Sequence, residues 1–177
     1  MPTWIAFQRA VNVGGRKYPM AELRHVLGEA GYADVETHIQ TGNIRLSSPI
    51  EEHDVLEKEL EALFAADRGF EVPTIVLAPH ELVQVATDAD AVTAGGEPEF
   101  GHYVELLRAE PDPEAVAVIE GRDLPGQRAV VRGRAVHLLF DIPYHEAKGP
   151  NAAVRRALGD STNRNVRVIR TLAEKWG

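Results

Sequence analysis

The sequence predicts an α+β protein built from two related, two-layer, ferredoxin-like α/β lobes. Three observations carry this reading. The first 78 residues read β-α-β-β-α-β, the ferredoxin-like order. After a linker, β-α-β-β-α appears again. The first strands of the two runs also share an ending, Phe7-Gln-Arg-Ala10 against Leu106-Leu-Arg-Ala109. The lobes are expected at 1–79 and 102–177, joined by a short helix and linker over 80–101, with a helical C-terminus.

Residues 3–12 alternate around Ile5, Phe7 and Trp4, Ala6 with few polar breaks, as expected for a central strand buried on most of both faces. Gly14-Gly15 permits a turn that a β-carbon would resist. Pro19 then suits the first position of a helix, whose apolar face is Met20, Leu23, Val26, Leu27 and Ala30. Val35–Ile39 and Ile44–Ser47 alternate on either side of Gln40-Thr-Gly-Asn43. They are either a hairpin or one strand with a bulge at Gly42. Residues 51–67 read as a second helix with acids crowding its first turn, where the helix dipole favours them; its Glu and Asp residues read as a solvated face. Residues 72–77 read as a strand, residues 80–86 as a short helix, and 87–101 as the linker.

In the second lobe, residues 103–107 read as a strand. Asp112-Pro113 opens a helix with an N-cap and an early proline. Residues 129–131 and 135–140 flank the hairpin turn Arg132-Gly-Arg, and residues 150–158 form a helix stopped by Gly159. In the tail, Val166, Ile169, Leu172, Ala173 and Trp176 share one helical face, and Thr162 is read as the N-cap.

Composition narrows the function classes. The chain has 177 residues, 44% of them hydrophobic and 26% charged, which suits an ordinary globular protein. It has no cysteine, so disulfides, a thiol nucleophile and thiolate metal sites are excluded. No apolar run reaches the roughly 20 residues that span a bilayer, and a cytoplasmic location without membrane association is expected. Residues 1–121 carry 8 lysines and arginines against 22 acids, whereas residues 122–177 carry 11 against 5. The net charge of -8 argues against non-specific nucleic-acid binding, which needs phosphate neutralisation. The basic C-terminal third leaves room for an anionic ligand.

Several residues are candidates for binding. Asn12-Val-Gly-Gly-Arg-Lys17 lies between a strand and a helix, where backbone N–H groups can cradle an anion. It fits no phosphate-loop or dinucleotide fingerprint, and a plain tight turn is the favoured explanation. Arg9, expected on a buried strand, needs either an internal carboxylate or a ligand anion. Gln40, Gly42 and Asn43 combine amide donors and acceptors with ordinary turn chemistry. In Ser161-Thr-Asn-Arg-Asn165, capping does not account for Arg164 near a helix start. His137-x-x-x-Asp141-x-x-x-His145 has loose metal-like spacing, but Pro143 breaks it and no metal site is expected. No residue announces itself as nucleophile or base, no Gly-x-Ser-x-Gly elbow occurs, and nothing in the chain names a cofactor or an oligomeric state.

Phe7-Gln-Arg-Ala-Val-Asn-Val-Gly-Gly15, Pro19-Met-Ala-Glu-Leu23, Gln40-Thr-Gly-Asn43 and Thr162-Asn-Arg-Asn165 together resemble, in order and spacing, a bacterial family catalogued as domain of unknown function 1697. The resemblance covers nearly the whole chain. It implies an α+β fold of two related lobes with a helical tail, and it implies no activity. The family usually has Leu-Arg-Gly-Ile-Asn-Val-Gly-Gly at the first motif, where Ala10 now replaces a glycine. It usually has a Trp after Arg-Asn, where Val166 stands, and a Ser-Lys pair near Ala147-Lys148. It groups Arg9, Asn12, Gly14, Gly15, Gln40, Gly42, Asn43, Lys148, Arg164 and Asn165 as ligand-binding candidates at the junction of the lobes. The leading expectation is a small anionic ligand: a nucleotide, phosphate or carboxylate metabolite. The alternatives are an enzyme using the same pocket and, ranked last, nucleic-acid binding through the basic C-terminal third.

Overall fold

The apolar N-terminal run forms β1 (Thr3–Gln8), in which every residue from Trp4 to Gln8 is buried. In the computed structural model, which describes residues 1–122 and 124–177, the chain divides into two units. The first holds residues 1–82 and 175–177, the second residues 83–174.

The first unit continues with α1 (Met20–Glu29), β2 (Ala33–His38), β3 (Asn43–Ser47), α2 (His53–Arg68) and β4 (Thr74–Leu77). Its sheet runs β2-β3-β1-β4, and every neighbouring pair is antiparallel. Trp4 and Ala6 of β1 share a face with Leu46 and Ile44 of β3. That face packs on Leu23 and Leu27 of α1 and on Leu56, Leu60 and Phe64 of α2. The segment around Gly42 is the loop of a β2–β3 hairpin, with a register shift between Ala33 and Glu36. Pro19 stands one residue earlier than expected, as the N-cap residue of α1.

Asp54, Glu59 and Asp67 of α2 are exposed, as expected of a solvated face, but two other acids depart from it. Glu57 is fully buried and accepts from the Val76 N–H at 2.8 Å. Glu61, one turn on, accepts from the Thr74 N–H at 2.9 Å. A carboxylate buried without donors would be costly. Here backbone amides of β4 supply them.

The second unit repeats the plan. α3 (Pro79–Val92) crosses into it, so the helix read at 80–86 takes in the first part of the expected linker. β5 (Gly101–Leu107), α4 (Pro113–Glu120), β6 (Gln127–Arg132), β7 (Ala135–Phe140), α5 (Ala152–Leu158), β8 (Ser161–Asn165) and α6 (Val166–Trp176) follow. Sheet order is β6-β7-β5-β8, the order of the first sheet with each strand advanced by four. Asp112 caps α4 through the Ala115 N–H (2.8 Å), and Asn151 caps α5 through the Val154 N–H (2.9 Å). The tail corrects the sequence reading. Thr162 is a buried strand residue paired with Leu106, not an N-cap. The cap of α6 is Asn165, whose Oδ1 accepts from the Arg167 N–H at 2.9 Å.

Two histidines meet inside this sheet. His102 on β5 and His137 on β7 are 3% and 0% exposed, with Nε2 of the first 3.1 Å from Nδ1 of the second. This contact replaces the metal-like spacing noted for His137. Burial pushes both imidazoles down to about 4, and the charge of His102 further disfavours one on His137. Asp88, Asp90 and Glu97 pull the other way, while Arg132 and Arg170 reinforce the fall. Both rings are therefore neutral in the fold and protonate more readily once unfolded. Their contribution is complete above about pH 6.5 and is lost as pH falls towards 4. Urea unfolding should show stability dropping on the order of 2–4 kcal/mol between pH 7 and 5, above the usual carboxylate range. A His102→Leu/His137→Leu double variant should lack that slope.

Candidate functional site

In the first unit the predicted residues form a corner. β1 ends at Gln8 because the chain then turns through a left-handed backbone at Ala10 (φ 54°), Asn12 (φ 56°), Gly14 (φ 55°) and Gly15 (φ 82°). Arg9 is consequently exposed rather than buried on a central strand, so the argument that burial obliges it to take a partner does not hold. Asn12 fastens the corner. Its Nδ2 donates to the carbonyls of Tyr18 (3.0 Å) and Gln40 (2.6 Å), and its Oδ1 accepts from the Tyr18 N–H (2.8 Å). Arg16 holds the same loop from the other side, donating to the Ala10 carbonyl at 3.1 Å and to the Glu71 carbonyl, with its guanidinium 4.7 Å from the Phe70 ring centroid.

Gly42 and Asn43 complete the corner. Gly42 has φ 72°, and a β-carbon there would lie 2.5 Å from Gln8 Oε1 and 2.6 Å from Gln8 Cβ. Only glycine satisfies both the backbone and the space. Asn43 is fully buried and donates to the His38 carbonyl (3.1 Å) and to Thr41 Oγ1 (3.0 Å). The structure thus brings Asn12, Gln40, Gly42 and Asn43 together through bonds that hold two loops. Gly14 and Gly15 form the open turn above them, with free space around each.

In the second unit the predicted residues separate. Arg164 on β8 is 7% exposed, donating to Thr162 Oγ1 (2.9 Å) and to the Asn163 carbonyl (2.8 Å). Desolvation holds it down to about 10, opposed by the charge of Glu105. Asn165, whose Oδ1 is engaged in the cap, lines a cavity of about 500 Å³ with Arg167, Arg170, Glu97 and Glu99. There Arg170 is already matched by Asp90 (2.8 Å) and Glu97 (3.0 Å).

Lys148 borders a different cavity, of about 260 Å³, under the 143–150 segment. Its floor is sheet: Glu105 of β5, Leu138 and Phe140 of β7, Asn163 of β8. Its roof is Tyr144, Ala147, Lys148, Gly149 and Pro150, and Arg122, Gln127 and Leu158 complete the wall. Glu105 is engaged, accepting from Ser161 Oγ at 2.5 Å and from Asn163 Nδ2 at 3.0 Å. Arg122 is not. Its Nε is buried and has no hydrogen-bond partner among the described residues. Desolvation lowers its pKa, which the charge of Glu105 partly offsets. Sequence reasoning missed Arg122, which carries no motif and stands far along the chain from Lys148. It also missed Asn163, although the polar cluster containing it was marked.

The corner generates a test. Gly42→Ala should cost about 2–4 kcal/mol in chemical denaturation, from combined backbone strain and overpacking. Asn12→Asp keeps the acceptor but loses both donors and should cost about 1–2 kcal/mol. Ala10→Gly should instead stabilise the protein by about 0.5–1 kcal/mol, since the left-handed conformation costs alanine more than glycine.

Comparison with known proteins agrees with this architecture. A conserved bacterial protein from Streptococcus pneumoniae, SP0830, superposes with a TM-score of 0.73 over 99% of this chain and 98% of its own, at 19% sequence identity. That likeness bears on the fold alone. No curated protein matches the chain. The family model described as "Protein of unknown function (DUF1697)" matches residues 1–137. The left-handed backbone at Ala10 accounts for the glycine usual at that position, and by that match the chain belongs to the DUF1697 family.

Proposed function

We propose that the protein binds a small anionic ligand, and that its site is the cavity bordered by Lys148 and Arg122 in the second unit. The observation carrying this reading is the Arg122 guanidinium, half-buried, with an enclosed Nε–H that meets no acceptor among the described residues. A buried donor left unsatisfied costs roughly 1–3 kcal/mol, and an anion in the cavity would remove that cost. Lys148 adds a second cation on the roof. Gln127 and Asn163 add polar groups, so anchoring and orientation come from different side chains. On this reading Asn12, Gly42 and Asn43 serve the architecture of the first unit. The exposed Gly14-Gly15 turn with Arg9 stands as the competing anion site, favoured by its position before a helix.

A thermal-shift panel of inorganic phosphate, nucleotides, dicarboxylates and monocarboxylates tests the proposal. A ligand at 100 times its Kd stabilises by about 2.7 kcal/mol, roughly 5–10 °C for a chain of this size. At least one anion class should shift the wild type and Arg9→Ala alike, and leave Arg122→Gln/Lys148→Gln unshifted. A shift lost in Arg9→Ala but kept in the double variant would move the site to the glycine turn.

A further inference from the structure

We infer that the occupant of this cavity is a small aromatic monocarboxylate; the inference rests on the cavity being the anion site. Charge sets the first limit. Arg122 and Lys148 bring two positive charges, and Glu105 brings one negative charge fixed by its bonds from Ser161 and Asn163. One further negative charge balances the lining. A phosphate monoester carries about -1.5 to -2 at neutral pH and would overshoot, with apolar walls in place of its hydration shell.

The walls set the second limit. Leu138, Phe140 and Leu158 give an apolar floor and side. Tyr144 on the roof is 59% exposed and stands 5.4 Å, centroid to centroid, from Phe140 and 5.1 Å from Tyr103. Three rings already grouped at these distances favour a fourth, since offset and edge-on aromatic pairs gain beyond simple burial. Size sets the third. About 260 Å³ lies below the roughly 300–1,000 Å³ usual for drug-sized ligands, so the space suits a single substituted ring. A carboxylate on that ring meets the fork geometry of Arg122, and Lys148 serves as a point charge. Nucleotides, with a base, a sugar and phosphate, exceed the cavity in both size and charge.

The test is calorimetric titration of the full-length protein with benzoate, benzamide, phthalate and inorganic phosphate. Benzoate should bind saturably, with benzamide at least tenfold weaker because it lacks the charge. Tyr144→Ala should weaken benzoate about tenfold, and Arg122→Gln by more. Phthalate or phosphate binding that requires Lys148 and Arg122, with no benzoate binding, would overturn the ligand class and leave the anion site standing. Benzoate binding unchanged in Arg122→Gln/Lys148→Gln would overturn the inference. Failure of all three anions to bind would overturn it together with the anion site.

Discussion

A four-stranded sheet of this topology must have one face covered by its two crossing helices, and the length of those helices decides whether the cover is complete. In the first unit α1 has 10 residues and α2 has 16. At 1.5 Å per residue α2 is about 24 Å long. Under them Trp4 and Ala6 are buried, as are Leu46 and Ile44 beside them. In the second unit the counterparts α4 and α5 have only 8 and 7 residues, and α5 reaches about 10 Å. Through Ile119 of α4 they cover Leu107, Val131 and Val136 and stop short of Tyr103 and Glu105, which are half-buried. The segment at 143–150 closes over the remainder and leaves the cavity. The same plan drawn twice thus yields a filled core once and a lined space once.

Polar groups in the two units divide along the same line. Four side chains of the first unit are consumed by the architecture. Asn12 ties a turn to a hairpin, Asn43 closes that hairpin, and Glu57 and Glu61 grip β4. In the second unit Glu105 is likewise satisfied, but Arg122 keeps an enclosed donor without a partner among the described residues. Chemical potential for binding lies with such a group more than with residues already saturated.

Much of the fold was legible because both lobes announce their strands and helices by apolar period, as in Trp4–Phe7 and the Leu56, Leu60, Phe64 face of α2. β8 was not, since Ser161-Thr-Asn-Arg-Asn165 offers no apolar alternation. Its side chains are satisfied by Glu105 and by one another, which no periodicity records. The displacement of Arg9 to the surface followed from a left-handed turn starting at Ala10, a conformation that alanine does not advertise. The grouping of Asn12 with Gln40 and Asn43 was visible as motifs, and turn chemistry was one reading of the Gln40–Asn43 stretch, but the bond from Asn12 across to the Gln40 carbonyl was not visible. Arg122 was invisible for a different reason. Its significance comes from a cavity made by short helices, and from meeting Lys148 there.

The most direct measurement is a titration of uniformly ¹⁵N-labelled protein with benzoate, followed by amide chemical shifts. Saturating shifts are expected, confined to Arg122, Gln127, Phe140, Tyr144, Lys148, Gly149 and Asn163, with Gly14 and Gly15 unmoved. Shifts centred on Gly14, Gly15 and Lys17, with the cavity amides silent, would contradict it.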